Sequence, residues 1–409
     1  MVDLLPYEEA LERILDQCPP PVTVKLPLEQ CLDRVLAFPV RADADVPPFN
    51  KSFMDGFAVR SADVRKVPAR LDVVGEVAAG ADSLPSVAPG ETVRIMTGAP
   101  VPPDTDAVQM VEESRMVDGS TVEILKTVAP GANVASQGRE VARGSVVLEA
   151  GRLIGPAEIG VLATFGQARP EVFRTLSVTV VSTGDELVPV EARPRFGQIR
   201  NSNGPMISAL CRRLGLKVES EVSVGDDPDR IAEVIRSGLK SDLLLLSGGV
   251  SMGEYDFVHR ILEREGARLI FHKAAVKPGK PICVGRRGST LAFGLPGNPV
   301  SAFVTFQLFA RPLVRRWMGF ESVSLRRIEA TLTQAVSQKP GRTFFKPART
   351  DWSGGLRVSP VETGGSADLT GFATADSLLI IPAHVSGIAA GERVSVLLLD
   401  ADPGRGRLA

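Results

Sequence analysis

"SDLLLLSGGVSMGEYD", residues 241–256, decides the fold class of this chain. Four successive leucines suit a strand buried on both faces, as in a parallel sheet covered by helices on each side. The run then enters Gly248, Gly249 and Gly253 and ends on Glu254 and Asp256. Glycines let a main chain turn sharply and approach a ligand closely. The acids beyond them need something to bind.

The flanking text agrees. "LSVTVVST" reads as a strand and "GPMISALCRRLG" as a helix; "LKVESEVSV" and "DPDRIAEVIRSGL" repeat the pair, as do "DLLLLS" and "YDFVHRILEREG". Strands "ARLIFHKAAV" and "STLAFGL" follow, and helix "VSAFVTFQLFARPLVRRW" closes the unit. Alternation of this kind predicts a mostly parallel three-layer α/β domain, placed at residues 175–325. Upstream, residues 7–17 read as an amphipathic helix stopped by Pro19–Pro21, and "LPLEQCLDRVLA" as a second short helix. From about 40 to 170 the text changes to short β-like runs broken by Gly and Pro, read as a small antiparallel sheet or barrel. This N-terminal unit spans 1–174, with about 45–145 as an inserted β-rich lobe. From 326 to 409 hairpin signals such as "DWSGG" predict a small C-terminal β domain.

Bulk properties bound the function. A chain of 409 residues exceeds one ordinary core and implies several domains. The net charge of −1 gives no general attraction to nucleic acid or an acidic membrane surface. Cysteines 18, 31, 211 and 283 form no Cys-x-x-Cys pair, so reduced thiols and a cytoplasmic setting are expected. Three histidines (259, 272, 384) leave little material for histidine-based metal or triad chemistry. The N-terminus has no basic, cleavable leader, and no apolar run reaches the ~18 residues that span a bilayer.

In open α/β sheets, ligands bind beyond the carboxyl ends of the strands. Those ends carry "STGDEL" with Glu186, "VGDDP" with Asp226 and Asp227, "SGGVSMGEYD" with Gly248, Gly249, Ser251 and Asp256, and "GLPGNPVSA" with Asn298. Any one of them is an ordinary turn. Four on one rim form a site. Gly-rich turns offer N–H groups to phosphates, and carboxylates among them call for a hard cation such as Mg²⁺. "HKAAVKPGKP" adds Lys273, Lys277 and Lys280 for an oxyanion. A rival reading takes Gly249–Gly253 as a G-x-S-x-G nucleophile elbow served by His272 or His384. It lacks an oxyanion-hole loop, and both histidines fall in β-like text.

Eight ordered blocks carry a resemblance. They are "DVPPFNKSFMDGFAV" (45–59), "IMTGAPVPPDTDAVQMVE" (95–112), "GANVASQGREVARG" (131–144), "STGDELV", "IRNSNGPM", "LLLLSGGVSMGEYD", "AVKPGKP" and "LPGNPVSA". Together they resemble the molybdopterin molybdenumtransferases, the MoeA-type proteins related to the gephyrin E domain, over nearly the whole chain. The resemblance implies an elongated homodimer whose C-terminal domain is a small barrel. It also implies an enzyme that takes adenylated molybdopterin and molybdate, uses Mg²⁺ and releases AMP. An adenylyltransferase acting one step earlier is an implied partner, and a non-catalytic pterin-binding or scaffolding paralogue is the alternative. On this chain the family's positions fall on Asp55, Thr97, Glu186, Asp226 or Asp227, Asp256, Lys273, Lys277 and Ser366, with Glu186 and Asp256 as metal ligands. Two departures stand out: Gly-Arg139-Glu140 replaces a usual Gly-Glu-Asp, and Lys51, Phe53 and Phe57 replace smaller, neutral or tyrosine residues.

Overall fold

In the computed structural model, residues 4–249 and 258–399 are described. The chain opens with helix α1 (Tyr7–Leu15), whose Ala10 and Ile14 are fully buried. Expected within the N-terminal unit, α1 instead packs on the α/β domain, where both side chains share a core with Leu176, Ile207 and Phe309. The second expected helix is only a single 3₁₀ turn, Leu28–Gln30. Asp33 adopts φ 61°, and Val35 and Leu36 pair with Leu153 and Val172, so sheet partners override the local helical pattern.

The inserted lobe holds six strands in the spatial order Ala107–Met110, Gly56–Val59, Glu91–Ile95, Ala69–Val77, Thr121–Ile124 and Ser114–Met116. It is mixed rather than purely antiparallel, because Ala69–Val77 and Glu91–Ile95 run parallel. Helix α2 (Pro156–Thr164) was not read from the sequence. Its signal was present: Glu158 Oε2 accepts from Gly155 N at 3.0 Å, closing the first turn.

The α/β domain comprises β1 (Ser177–Thr183), α3 (Asn203–Arg213), β2 (Lys217–Val224), α4 (Pro228–Gly238), β3 (Leu243–Ser247), α5 (Val258–Arg264), β4 (Arg268–His272), β5 (Val276–Lys277), β6 (Cys283–Arg287), β7 (Thr290–Leu295), α6 (Pro299–Thr305) and α7 (Arg311–Trp317). Its sheet has the order β2-β1-β3-β7-β6-β4. β2, β1, β3 and β7 are parallel; β6 alone runs against them, and β4, antiparallel to β6, returns to their direction at the edge. The leucine run divides between the two faces. Leu243 and Leu245 join the core under α1, α3 and α7, while Leu244 and Leu246 join the one under α4 and α5. All four are fully buried, each contributing about 2 kcal/mol of apolar burial.

"ARLIFHKAAV" is not one strand. Lys273 takes φ 82°, β4 stops at His272, and β5 leaves to pair with β8 (Thr343–Asp351) of the C-terminal domain. β6 was also missed by the sequence reading. In the C-terminal domain, β8 pairs with both Arg357–Pro360 and Ser377–Ile381. Arg327–Leu332 and Arg393–Leu398 complete a closed five-strand barrel around Leu332, Val358, Leu379 and Val396.

Candidate active site

The strand order reverses at β1. β2 lies on one side of it and β3 on the other, which opens a crevice beyond their carboxyl ends. A cleft of about 1360 Å³ occupies this place, with Ser182, Thr183, Ser247 and Gly248 on its floor. The register aligns these ends, since Ser182 lies beside Ser247 and Ser247 beside Leu295.

Three buried polar atoms on this floor, Ser182 Oγ, Thr183 Oγ1 and Asn203 Oδ1, have no hydrogen-bond partner among the described residues. An unmet buried polar group costs about 1–3 kcal/mol, so three together mark a surface built for a polar ligand or its water. Asn203 is held by its other end: Nδ2 donates to Ser247 Oγ and to Gly297 O, both at 2.7 Å. Gly248 has φ 101°, and a Cβ there would lie 2.5 Å from Thr183 O. No other residue fits that approach.

The acids of the rim take different tasks. Glu186 and Asp226 line the cleft. Asp226 N donates to Asp185 Oδ1 at 2.9 Å, joining the ends of β1 and β2. Asp227, expected to bind substrate, is not a lining residue. Its Oδ1 accepts from Asp229 N and Arg230 N and caps α4. Ser251 and Asp256, with the G-x-S-x-G stretch, lie outside the described residues.

Lys277 lines the cleft, and its Nζ sits 4.2 Å from the centre of the Phe344 ring. Lys273 does not line it, because its left-handed backbone turns the chain off at the end of β4. Sequence reasoning missed three further cations: Arg200, Arg342 and Lys346 line the same cleft, the last two flanking Phe344, the pairing partner of Lys277. Two of them come from the C-terminal barrel, 65 or more residues from Lys277, so no local motif could announce them. With Lys280, five cations face two carboxylates, and the cleft favours an anionic ligand.

Ser366 and Asn298 also meet here. Asn298 Nδ2 donates to Ser366 Oγ at 2.9 Å, and Val300 N donates to Ser366 O at 3.0 Å. Asp368 shapes the strap that carries Ser366. Its carboxylate accepts from Thr370 Oγ1 (2.6 Å), Gly364 N (2.9 Å) and Gly371 N (3.0 Å). These bonds, the Thr370 hydroxyl first, hold its pKa down at about 2. The strap continues into α8 (Leu369–Phe372), whose Phe372 packs edge-on against Phe303 of α6.

Asp55 and Thr97 form a separate pair in the inserted lobe. Asp55 Oδ1 accepts from Thr97 N (2.7 Å) and Thr97 Oγ1 (2.8 Å), which keeps the carboxyl below its usual range. Neither residue lines the cleft of its own chain. Arg139 lies over the Phe53 ring at 5.3 Å. His272 ends the edge strand β4, three strands from β3, and stacks on His259 at 4.7 Å. Among the described residues, no three His, Cys, Asp or Glu side chains group to hold a metal, and no helix is long and apolar enough to cross a membrane.

Family models match the chain in sequence order: the MoeA N-terminal region, domains I and II, over 5–166; a probable molybdopterin binding domain over 179–316; and the MoeA C-terminal region, domain IV, over 329–399. A molybdopterin molybdenumtransferase of Staphylococcus aureus is 35% identical over 404 residues, covering 97% of this chain and 96% of the relative. One from Bacillus subtilis is 34% identical over 409 residues, covering 98% and 95%. Among solved structures, a molybdopterin biosynthesis MoeA protein from Pyrococcus horikosii superposes with a TM-score of 0.87 at 31% identity, covering 98% of this chain and all of that one. The chain belongs to the MoeA family of molybdopterin molybdenumtransferases, enzymes of molybdenum cofactor biosynthesis.

Proposed function

We propose that the chain inserts molybdenum from molybdate into adenylated molybdopterin and releases AMP. The observation that carries this reading is the cleft itself: orphaned polar atoms on the floor and five cations on the walls at the switch point of the sheet. In the reaction, the two dithiolene thiols replace two oxygens of the molybdate, which leave as water with the thiol protons and protons from solvent. The phosphoanhydride is cut with an oxygen taken from water or the oxyanion, and AMP leaves.

The Gly248–Gly249 turn admits the phosphorylated pterin close to the main chain, and Ser182, Thr183 and Asn203 satisfy its polar atoms. Lys277, Arg342 and Lys346 draw molybdate to the wall beside Ser366, a task suited to converging cations in a partly enclosed site. The donors here are all oxygens, which fits a hard cation. Glu186, with Asp256 by family resemblance, would hold Mg²⁺, which would supply positive charge to offset that of the phosphates. Asp55 and Thr97 serve the cleft of a second copy in a homodimer, because they stand apart from the cleft of their own chain.

The test is incubation of the purified chain with adenylated molybdopterin, molybdate and Mg²⁺, scoring AMP. Release that rises with molybdate is expected. Absence of release, or release indifferent to molybdate, refutes the reading.

A further inference from the structure

The loop between Leu187–Val188 and Ile199–Arg200 carries the most exposed large apolar side chain described in the fold, Phe196. Both ends of the loop pair with each other at the cleft mouth, where Leu187, Ile199 and Arg200 are lining residues. The loop is built rather than loose. Gln198 N donates to Arg195 O at 3.0 Å, Gln198 Oε1 accepts from Arg195 N at 3.1 Å, and Arg200 Nε donates to Ala192 O at 3.0 Å. Gly197 has φ 81°, so residues 195–198 follow a type II pattern with Phe196 at the first corner. Phe196 is exposed at 107% of its reference area, and Arg193 and Arg195 beside it are exposed too. A hydrogen-bonded turn holding an aromatic ring in water is a preorganised contact element, since little ordering remains to be done on docking.

A complementary surface exists on the inserted lobe. A groove of about 610 Å³ is lined by Phe49, Leu84, Pro100 and Pro103, with Asp82 and Asp104 also in its wall. Its apolar lining suits one aromatic ring, and its two acids suit the two arginines that flank that ring. The groove adjoins the Asp55 segment: Val101 N donates to Asn50 O, and Pro100 pairs with Lys51, four residues before Asp55.

We propose that Phe196 of one chain seats in this groove of a second copy, with Arg193 and Arg195 against Asp82 and Asp104. Every chain carries both surfaces, so a two-fold arrangement makes the contact twice. The contact also brings the Asp55–Thr97 pair of one copy to the cleft mouth of the other. The inference rests on the homodimer named above and adds the residues that select its geometry.

Sedimentation of the full chain tests it. Phe196→Ser should melt like the parent, because the side chain is exposed, and should raise the dimer dissociation constant roughly tenfold or more. Arg195→Glu and Asp82→Lys should each weaken the dimer, and the two together should restore it. Phe196→Cys with Leu84→Cys should form a disulfide between chains under mild oxidation. A monomeric parent, or a Phe196→Ser dimer as tight as the parent, overturns the proposal. So does a cross-link found only within one chain. If Phe196→Ser keeps its dimer but loses capture of a purified molybdopterin adenylyltransferase, the knob belongs to that partner and the proposal falls. AMP release is scored separately: an active parent whose dimer ignores Phe196 defeats the docking contact alone, and an inactive parent with the expected dimer behaviour defeats the enzymatic reading alone.

Discussion

Gly248→Ala is the sharpest probe of the cleft floor. A Cβ at this position lies 2.5 Å from Thr183 O and 2.6 Å from Thr183 Oγ1, and the backbone sits at φ 101°. An ordinary carbon–oxygen contact needs about 3.4 Å, so the loop or β1 must shift by roughly 0.9 Å. The left-handed backbone adds of order 1–3 kcal/mol of strain. That cost lowers Tm by on the order of 5 °C. Displacement of a ligand-contacting turn by about 1 Å can cost some 10²-fold in rate. The assay pairs a thermal melt with molybdate-dependent AMP release. Gly288→Ala is the control, because Gly288 also has a positive φ (59°) but a Cβ there meets nothing within 4 Å. It should lose about 1 kcal/mol of stability and no activity. A Gly248→Ala enzyme that melts and turns over like the parent refutes the steric argument. One that melts early yet turns over normally shows that the glycine serves only the fold.

Two further outcomes follow from the walls of the cleft. Lys277→Met should raise the molybdate concentration needed about tenfold while leaving pterin affinity nearly unchanged, and added salt should reproduce the defect in the parent; equal losses for both ligands would assign the lysine to the pterin phosphate. Asp368→Ala should raise KM through a loosened Ser366 strap, with Asp368→Asn recovering part of the loss because it keeps one acceptor. The Asp368 carboxyl is depressed from 3.8 to about 2, so its contribution is complete above pH 3.8 and is lost as pH falls through about 2. Between pH 5 and 8 the defect of Asp368→Ala should therefore not vary with pH on account of this group.

The legible parts were those where local pattern and tertiary demand coincide. The leucine run needed two covered faces and has them, and each small-residue turn after a parallel strand lies on the common rim. What stayed hidden depended on partners distant in sequence. "LPLEQCLDRVLA" scans as helix, but Val35 and Leu36 are claimed by Leu153 and Val172. "ARLIFHKAAV" scans as one strand, yet Lys273 splits it between two sheets. Asp226 and Asp227 are chemically alike in the text. Only the start of α4 shows that Asp227 is committed to capping and Asp226 to the cleft. Arg342 and Lys346 sit in unremarkable β text, and the fold alone, by pairing β5 with β8, brings them beside Lys277.

Ala274–Lys277 is stitched from both sides: Leu5 pairs with Ala274, Ala275 N donates to Leu5 O, and Val276 and Lys277 pair with Thr343 and Phe344. During synthesis the ribosome adds roughly 5–20 residues per second and domains fold as units when they emerge. The α/β sheet has all its strands once residue 295 is made, but the segment bearing Lys277 lacks its C-terminal neighbour until residue 344 is out. A nascent chain therefore passes through a stage with a formed cleft floor and an unfinished basic wall. A product truncated between the two domains is held at that stage, and the barrel acts as the clasp that commissions the enzyme last.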